Sequence, residues 1–263
     1  MKILVTMGRG GTGKTSFVAM MTKYFIEKKS TPILLVDVDP DQNLAEMVGV
    51  DLEREGLKTI AELVTDTFIN KGGTSVGISP TERIETTIFE RGLYEGDAFD
   101  LMAVGTKWIE GCYCLPDAAL KGALQSLSKN YKYVLIDSPA GLEHLNRKIT
   151  DRVNDIFDIM GPSNKSFENV KRAYRITQEI KIGFDHFYTV GGCLFPEKLE
   201  NVIEEKTGRS YLGKIDFDRQ VQEFGISGRS LLDLPSDSPA YLSVKRLMGK
   251  AVEGDFHQVL WRA

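Results

Sequence analysis

The chain of 263 residues contains few of the features that mark secreted, membrane or DNA-coating proteins. Its three cysteines are too few for the disulfide framework of a secreted domain. No apolar run reaches the roughly 20 residues of a membrane-spanning helix, and the N-terminus enters an apolar strand instead of a secretory signal. A net charge of −4 gives no overall basic field for nucleic acid or acidic lipid. We therefore expect a soluble cytoplasmic protein with neither a membrane nor a nucleic-acid partner.

What the chain does have is a regular alternation of aliphatic runs and helical patterns. This alternation predicts an α/β fold, with a mostly parallel central sheet and helices on both faces. No linker divides residues 1–263, so we expect a single domain. The predicted strands are Ile3–Met7, Ile33–Val38, Phe99–Val104, Tyr133–Ile136, Val153–Met160, Phe187–Val190 and Tyr211–Ile215. The predicted helices are Thr12–Lys29, Leu57–Asn70, Glu82–Glu90, Leu115–Leu127, Lys165–Ile180 and Ser238–Lys250, with a loop over Lys71–Pro80.

The strongest motif, G-x-x-x-x-G-K-[ST], lies between the first predicted strand and the first predicted helix. Its glycines let the backbone curl around a polyphosphate, and the new helix adds its positive N-terminal end. Lys14 would reach the outer phosphates, and the Thr15 hydroxyl would ligate magnesium. A plain glycine-rich loop is the structural alternative. The predicted phosphate-binding residues are Gly8, Arg9, Gly10, Gly11, Thr12, Gly13, Lys14, Thr15 and Ser16.

Two further predicted strands end in aspartates. Asp37 and Asp39 follow the aliphatic run from Ile33, and Asp137 follows Tyr133–Ile136. Ligands of open α/β sheets bind at the carboxyl ends of the strands, where an aspartate held through water suits magnesium. The alternative for Asp39, which precedes Pro40, is a role as a helix cap.

The loop with Arg9 before two glycines resembles the deviant Walker A motif of the MinD/ParA/nitrogenase-iron-protein group of ATPases, the SIMIBI group. The resemblance implies a P-loop NTPase fold, ATP or ADP with Mg²⁺, and hydrolysis of ATP. In that group Asp39 would orient the attacking water, Asp37 would lie in the outer shell of magnesium, and the Gly141 backbone would sense the terminal phosphate. Arg9 stands where relatives carry a lysine that reaches the partner's nucleotide. The implied catalytic residues are Lys14, Asp39 and Arg9.

The same comparison shows departures from the group. Gly191-Gly192 stands where relatives often have Asn-Lys for the base, and Asp216 stands where they often have proline. His144 is a candidate switch residue or a structural histidine at a helix start. Cys193, alone at the end of an apolar strand, is expected to be a core residue.

The remaining motif is Gly111-Cys112-Tyr113-Cys114, directly before a predicted helix. Thiols at a helix N-terminus ionise more easily, and the thiolate is the form that binds metal. Two thiolates cannot complete a tetrahedral site, but a two-fold dimer would supply four. Such a site suits nickel, zinc or copper(I). The alternative is a pair of buried thiols that pack as small hydrophobes.

A C-x-C between the two switch segments resembles the CooC family, whose ATPases support nickel insertion into carbon monoxide dehydrogenase. The accessory ATPase of acetyl-CoA synthase is a near neighbour. The resemblance implies a metallochaperone that dimerises on nucleotide or metal binding, holds Ni²⁺ or Zn²⁺ through Cys112 and Cys114, and serves such a metalloenzyme. Two other functions stay open: a MinD/ParA-like ATP-driven positioning switch and an iron-protein-like redox ATPase.

Overall fold

The computed structural model describes residues 1–70, 80–106, 114–140 and 150–252. The side chains of residues 68–70, 80–82 and 114–117 are outside this description. Cys112, Gly141, His144 and nearly all of the loop predicted over Lys71–Pro80 therefore lie outside the described residues, as does the side chain of Cys114.

The described strands form one eight-stranded sheet in the order β3-β4-β2-β5-β1-β6-β7-β8. Every neighbouring pair is parallel except β3 and β4. This topology confirms the predicted mostly parallel sheet. The strands are β1 (Lys2–Gly8), β2 (Ile33–Asp37), β3 (Tyr94–Glu95), β4 (Asp100–Ala103), β5 (Tyr133–Asp137), β6 (Asp155–Met160), β7 (His186–Gly191) and β8 (Ser210–Lys214).

Helices cover both faces of the sheet. The longer ones match the predicted helices, whereas the short α2, α7 and α8 carry too few periodic residues to be read from the pattern. The helices are α1 (Lys14–Glu27), α2 (Asn43–Met47), α3 (Ile60–Val64), α4 (Pro80–Arg91), α5 (Cys114–Leu127), α6 (Lys165–Glu179), α7 (Ile203–Thr207), α8 (Arg219–Ser227) and α9 (Pro239–Val252). A π-helix follows α3 at Thr65–Asn70, and 3-10 turns lie at Ser128–Asn130, Glu197–Val202 and Leu231–Asp233.

Two helix starts differ from the predictions for local reasons. The first helix begins at Lys14, not Thr12, because Gly13 adopts a left-handed conformation with φ 91°. The helix predicted from Leu57 begins at Ile60, because Thr59 and Glu62 form a reciprocal capping box. Caps of this kind fix the end of a helix more firmly than hydrophobic periodicity does.

The hydrophobic core has two halves, one on each face of the sheet. α1, α2 and α9 cover one half, in which Phe17, Phe25 and Phe157 are fully buried. α3, α4, α5 and α6 cover the other. Each fully buried large apolar side chain contributes about 1.5–3 kcal/mol through its removal from water. Among the described helices, none combines the length and the apolar character needed to cross a bilayer.

Candidate functional site

The loop that follows β1 depends on glycine at three positions. Gly8, Gly11 and Gly13 have φ values of 139°, 72° and 91°, which other residues rarely adopt. A Cβ atom at Gly8 would also lie 2.4 Å from the carbonyl oxygen of Ile159 in β6. The loop therefore needs glycine both for its backbone angles and for its close approach to the next strand.

Two side chains at the end of the loop donate hydrogen bonds to the backbone at its start. The Thr12 hydroxyl donates to the Arg9 carbonyl at 2.8 Å, and the Lys14 ammonium donates to the same oxygen at 3.3 Å. Lys14 is buried, whereas Arg9 is exposed, and in the described part of the chain its guanidinium has no ion-pair or hydrogen-bond partner. The loop joins the N-terminus of the 14-residue α1, where free N–H groups favour an anion. This arrangement can hold a phosphate chain.

Two buried carboxylates lie side by side at the carboxyl end of the sheet. Asp37 and Asp137 are register partners on the neighbouring strands β2 and β5. Asp37 accepts hydrogen bonds from the backbone N–H groups of Asp39 at 2.9 Å and Leu44 at 3.0 Å. Neither oxygen of Asp137 has a hydrogen-bond partner of good geometry among the described residues. Asp137 is therefore a buried acid whose two oxygens are available to bind a ligand.

Burial raises the pKa of both carboxyl groups. The pKa of Asp37 rises to about 8 through loss of hydration and the nearby charge of Asp137. The pKa of Asp137 rises to about 7, because burial outweighs the opposing effects of the Thr15 hydroxyl and the Lys14 ammonium. The charge of Asp39 adds to both increases. A divalent cation would reverse these shifts by favouring the ionised carboxylates.

The donor set fits magnesium. Hard cations such as Mg²⁺ prefer oxygen ligands and keep several waters when proteins bind them. The orphaned oxygens of Asp137 and the carboxylate of Asp37 provide that chemistry, with the Thr15 hydroxyl at the start of α1 close to Asp137. These residues could hold Mg²⁺ beside a bound phosphate chain.

Asp39 does not serve as a helix cap. The next helix, α2, begins only at Asn43 and has Gln42 at its cap position. The Asp39 carboxylate instead accepts the backbone N–H of Asp41 at 3.1 Å, within its own turn. The backbone N–H of Asp39 donates to the Asp37 carboxylate at 2.9 Å, so Asp39 lies at the same edge of the sheet as the buried aspartates.

A small cleft of about 70 Å³ lies on the other side of the loop. Cys193 lines it and is half-buried, so the expectation that it is a core residue is wrong. Apolar side chains form most of the remaining lining, including Met20, Ile215, Val221 and the half-exposed Phe217. A flat apolar ring, such as a nucleotide base, matches this chemistry.

Steric contacts explain the pair of glycines, Gly191 and Gly192, at the end of β7. A Cβ atom at Gly192 would lie 2.6 Å from the carbonyl oxygen of Thr12 and 3.0 Å from that of Met160. A Cβ atom at Gly191 would lie 2.8 Å from Cβ of Lys214. The strand end thus packs directly against the phosphate-binding loop, with no room for side chains at either position.

Replacing Gly192 with alanine should therefore distort the phosphate-binding loop. We expect the Gly192→Ala variant to lose about 1–3 kcal/mol of unfolding free energy and to bind nucleotide at least tenfold more weakly. Denaturant unfolding and calorimetric titration with ATP would measure the two effects. Gly225→Ala is the control, because a Cβ atom at Gly225 meets nothing within 4 Å. Equal nucleotide affinity in the two variants would contradict the prediction.

The segment that carries the cysteine pair leaves the sheet beside the Asp39 turn. The Thr106 hydroxyl donates to the Pro40 carbonyl at 2.7 Å. Helix α5 begins at Cys114, as the sequence pattern indicated to within one residue. In the described ranges no three His, Cys, Asp or Glu side chains cluster as a metal site. The cysteine pair lies outside this finding and stays a prediction.

Sequence reasoning missed a second buried acid beside the loop. Asp158 in β6 is 4% exposed and lines a cavity of about 790 Å³ between the loop and α6, together with Gly8 and Arg9. The signal was present in the sequence, because aspartates at 155 and 158 interrupt the apolar run D-I-F-D-I-M. An ionisable residue inside a buried strand is unusual and needs a reason.

Comparison with known proteins agrees with this geometry. A family profile described as AAA domain matches residues 1–182. The chain is 30% identical over 259 residues to the uncharacterized ATP-binding protein MJ0685 of Methanocaldococcus jannaschii, covering 97% of this chain and 100% of the relative. It is 28% identical over 249 residues to the carbon monoxide dehydrogenase accessory protein CooC of Rhodospirillum rubrum, covering 91% of each chain.

Solved structures give the fold. The cell division protein MinD of Aquifex aeolicus superposes with a TM-score of 0.68 at 17% identity, covering 96% of this chain and 97% of that one. A ParA family ATPase of Chlorobium tepidum TLS superposes with a TM-score of 0.67 at 16% identity, covering 93% and 96%. Together with the profile match over most of the chain and the near full-length relative, this shows that the protein belongs to the AAA domain family and has the fold of MinD and ParA.

Proposed function

We propose that the protein is a Mg²⁺-dependent ATPase that binds a metal ion through Cys112 and Cys114 at a dimer interface and assists its insertion into a metalloenzyme. One observation carries the link between the two activities. The hydrogen bond from Thr106 to the Pro40 carbonyl joins the cysteine segment to the turn that bears Asp39. A nucleotide-dependent movement of that turn would therefore be transmitted to the cysteines.

The ATPase half of the proposal rests on the phosphate-binding loop and the carboxylates beside it. Lys14 and the loop N–H groups would hold the outer phosphates, and the half-buried Asp39 would orient a water in line with the terminal phosphorus. The bond from that phosphorus to the bridging oxygen breaks as the bond to the water oxygen forms. Bound Mg²⁺ would supply positive charge to the phosphate oxygens, held by Thr15, Asp37 and Asp137. Relatives described as ATP-binding proteins support this half of the proposal.

Arg9 is proposed to act on the nucleotide of a partner protomer. Its guanidinium is exposed and unpaired within the described part of the chain, at the edge of the loop. Arginine keeps the charge of lysine and adds a planar fork that matches two phosphate oxygens. A homodimer formed face to face would thus complete each nucleotide site.

The metal-binding half of the proposal rests on the length of chain between Thr106 and the cysteines and on two-fold symmetry. Cys112 lies six positions after Thr106 in the sequence, and six residues of chain span at most about 20 Å. On this proposal the cysteines lie within that reach of the nucleotide edge of the sheet, where a two-fold axis would bring a second pair. Four thiolates complete a tetrahedral site for nickel or zinc.

The target of the metal is proposed from the relative named as a carbon monoxide dehydrogenase accessory protein. We propose that this protein likewise serves carbon monoxide dehydrogenase or acetyl-CoA synthase, in the cytoplasm, with nickel as the metal. The nickel ion would be the cargo of the reaction, not a resident cofactor.

Metal binding is the direct test. We expect equilibrium dialysis with nickel in the presence of Mg²⁺ and ATP to give one ion per two chains for the wild type. The Cys112→Ser/Cys114→Ser double variant should lose at least 90% of this binding, because serine hydroxyls are poor ligands for soft or borderline ions. Size-exclusion chromatography of the same samples would report the dimer.

Cys193→Ser is the matched control, since it removes the third cysteine and leaves the pair intact. Its nickel stoichiometry should equal that of the wild type. If the double variant binds as much nickel as the Cys193→Ser protein, the metal-binding half of the proposal is wrong. The ATPase half is unaffected by that result.

A second candidate function is a MinD/ParA-like positioning switch, which one surface favours. The exposed side of α6 carries Lys165, Lys171, Arg172 and Arg175 beside Arg9, and such a basic face could bind an acidic surface. Co-sedimentation with DNA and with anionic vesicles in the presence of ATP separates the functions. Saturable binding to either would favour the positioning switch over the metal handler.

A further inference from the structure

The side chain of Asp158 points from the sheet toward α6. Successive side chains of a strand alternate between its two faces. Ile156 and Met160, two positions before and after Asp158 on β6, pack in the half of the core that α6 covers. Asp158 shares their direction, is 4% exposed, and lines the cavity of about 790 Å³ between the phosphate-binding loop and α6. Its carboxyl group therefore forms part of the cavity floor, beneath the helix.

Two polar groups in this cavity have no partner in the described part of the chain. The Asp158 carboxylate makes no hydrogen bond or ion pair there, and the enclosed side-chain nitrogen of Asn169 on α6 has no acceptor. Buried polar groups without a partner are costly and uncommon, so each needs an explanation. The amide nitrogen can only donate a hydrogen bond, and an ionised carboxylate can only accept one. A hydroxyl group satisfies both, because it donates and accepts at once.

The outer part of the cavity carries positive charge that the protein does not neutralise. The Lys171 ammonium is paired with the Glu168 carboxylate at 2.6 Å, and the Arg175 guanidinium lies 3.8 Å from the Glu179 carboxylate. Three further exposed cations line the cavity and have no ion pair among the described residues: Arg9, Lys165 and Arg172. Guanidinium groups bind phosphate oxygens strongly, often through two parallel hydrogen bonds. Three such cations favour a dianion, and a phosphate monoester is one.

The size and depth of the cavity favour a small molecule over a macromolecular surface. Its volume of about 790 Å³ falls within the range of about 300–1,000 Å³ that is typical of small-molecule sites. A DNA backbone or an anionic bilayer could touch the exposed cations, but it would leave the carboxylate on the floor without a partner. It would also bring further negative charge toward that carboxylate, which is unfavourable.

We propose that this cavity is a small-molecule site, separate from the nucleotide site, that binds a phosphorylated polyol such as a sugar phosphate. The phosphate group lies against the guanidinium groups of Arg9 and Arg172. A hydroxyl group of the same molecule donates to Asp158 and accepts from Asn169. The inference goes beyond the proposed ATPase and metal-binding functions and depends on neither of them.

Calorimetric titration with ribose 5-phosphate and with glucose 6-phosphate tests the site. Burial raises the pKa of Asp158 to about 7, so a titration at pH 8 presents mainly the ionised carboxylate. We expect saturable binding of at least one of the two compounds, with one molecule per chain. Inorganic phosphate, which lacks the polyol, should bind at least tenfold more weakly. If neither sugar phosphate binds, or if inorganic phosphate binds equally well, the inference is overturned.

The Asp158→Asn variant should bind the sugar phosphate about tenfold more weakly, because a hydrogen bond to a neutral amide is weaker than one to a carboxylate. The direction of this effect is decisive. A site that acts through positive charge alone would bind more tightly once the negative charge is removed, so unchanged or tighter binding overturns the inference. Asp155→Asn is the control on the same strand, because Asp155 is paired with His186 at 2.7 Å and should stay within about twofold of the wild type.

The Arg172→Ala variant tests the phosphate end of the site without changing a buried residue. It should weaken sugar phosphate binding at least fivefold through loss of the charge-assisted hydrogen bonds. This variant carries the test if the Asp158→Asn protein does not fold, because Arg172 is exposed and has no ion pair among the described residues. An affinity equal to that of the wild type would contradict the proposed orientation of the ligand and overturn the inference.

A Lys14→Gln variant distinguishes the cavity from the phosphate-binding loop. Lys14 is buried and is not among the residues that line the cavity, so the sugar phosphate affinity should stay within about twofold of the wild type. Loss of binding in this variant would place the ligand in the loop and overturn the inference. A short DNA duplex that displaces the sugar phosphate and binds more tightly to Asp158→Asn than to the wild type would assign the cations to nucleic acid, which also overturns it.

Discussion

Asparagine in place of Asp39 is expected to lower the rate of ATP hydrolysis about 10²- to 10⁴-fold, the range that a positioned acid–base group contributes. The affinity for Mg-ATP should change no more than about threefold. Asp39 is not needed for the fold, because α2 starts at Asn43 without it and, among the described residues, its carboxylate bonds only within its own turn. The loss should therefore fall on the chemical step, since phosphoryl transfer depends on how the water is held.

Phosphate release and calorimetric titration with ATP would measure the two quantities. Asp41→Asn is the matched control, because Asp41 is an exposed aspartate of the same turn and should retain wild-type hydrolysis. A hydrolysis rate for Asp39→Asn above half that of the wild type would remove Asp39 from the catalytic set.

Asparagine in place of Asp137 is expected to have opposite effects on stability and on activity. The folded pKa of about 7 lies above the value of 3.8 for a free aspartate. Between those values the native state binds more protons than the unfolded state, so stability falls as the pH rises from about 4 to about 7. Above pH 7 the ionised carboxylate costs at most about 4 kcal/mol, and an uncharged amide removes that cost.

Without nucleotide, the Asp137→Asn protein should thus be more stable than the wild type at pH 8, with little difference near pH 4. Mg-ATP should stabilise the wild type and leave the variant almost unaffected, and hydrolysis should fall at least 100-fold, because an amide is a weaker ligand for Mg²⁺. Denaturant unfolding at the two pH values, with and without Mg-ATP, measures the changes in stability, and phosphate release measures hydrolysis. An Asp97→Asn protein, altered at an exposed aspartate, should match the wild type throughout.

A less stable Asp137→Asn protein at pH 8 would show that the carboxylate has a structural partner in the folded chain. The expected result instead identifies a cost that the apo protein carries for function. Strained or unpaired groups at functional sites commonly reduce stability in this way, and their removal stabilises the fold while activity is lost.

The sequence predicted the features that local chemistry controls. The positive φ values at Gly8, Gly11 and Gly13 are a local property of glycine, so the loop can be predicted without knowing the fold. The lysine and threonine that follow indicate that its ligand is a phosphate chain with magnesium. Aliphatic runs long enough for strands but too short for helices predicted the parallel sheet. Helix α5 was located to within one residue, because its periodicity is strong and its start is marked by a proline.

Short helices and exact ends were harder to predict from the sequence. The five-residue α2 and α7 complete barely one turn, so they carry no readable period. The capping box at Thr59 overrides the apolar pattern that begins at Leu57. The π-helical turn at Thr65–Asn70 has no periodic signal of its own.

By itself the sequence determined a phosphate-binding loop on a parallel sheet, with aspartates at strand ends and a pair of cysteines before a helix. Only the tertiary structure decided which of these groups meet. The strand order places Asp37 beside Asp137, sets Gly192 against the loop, and brings Asp158 to the cavity beside the loop. The physical reason is that residues as distant in sequence as Thr12 and Gly192 become neighbours through strand pairing, and no local pattern encodes that pairing.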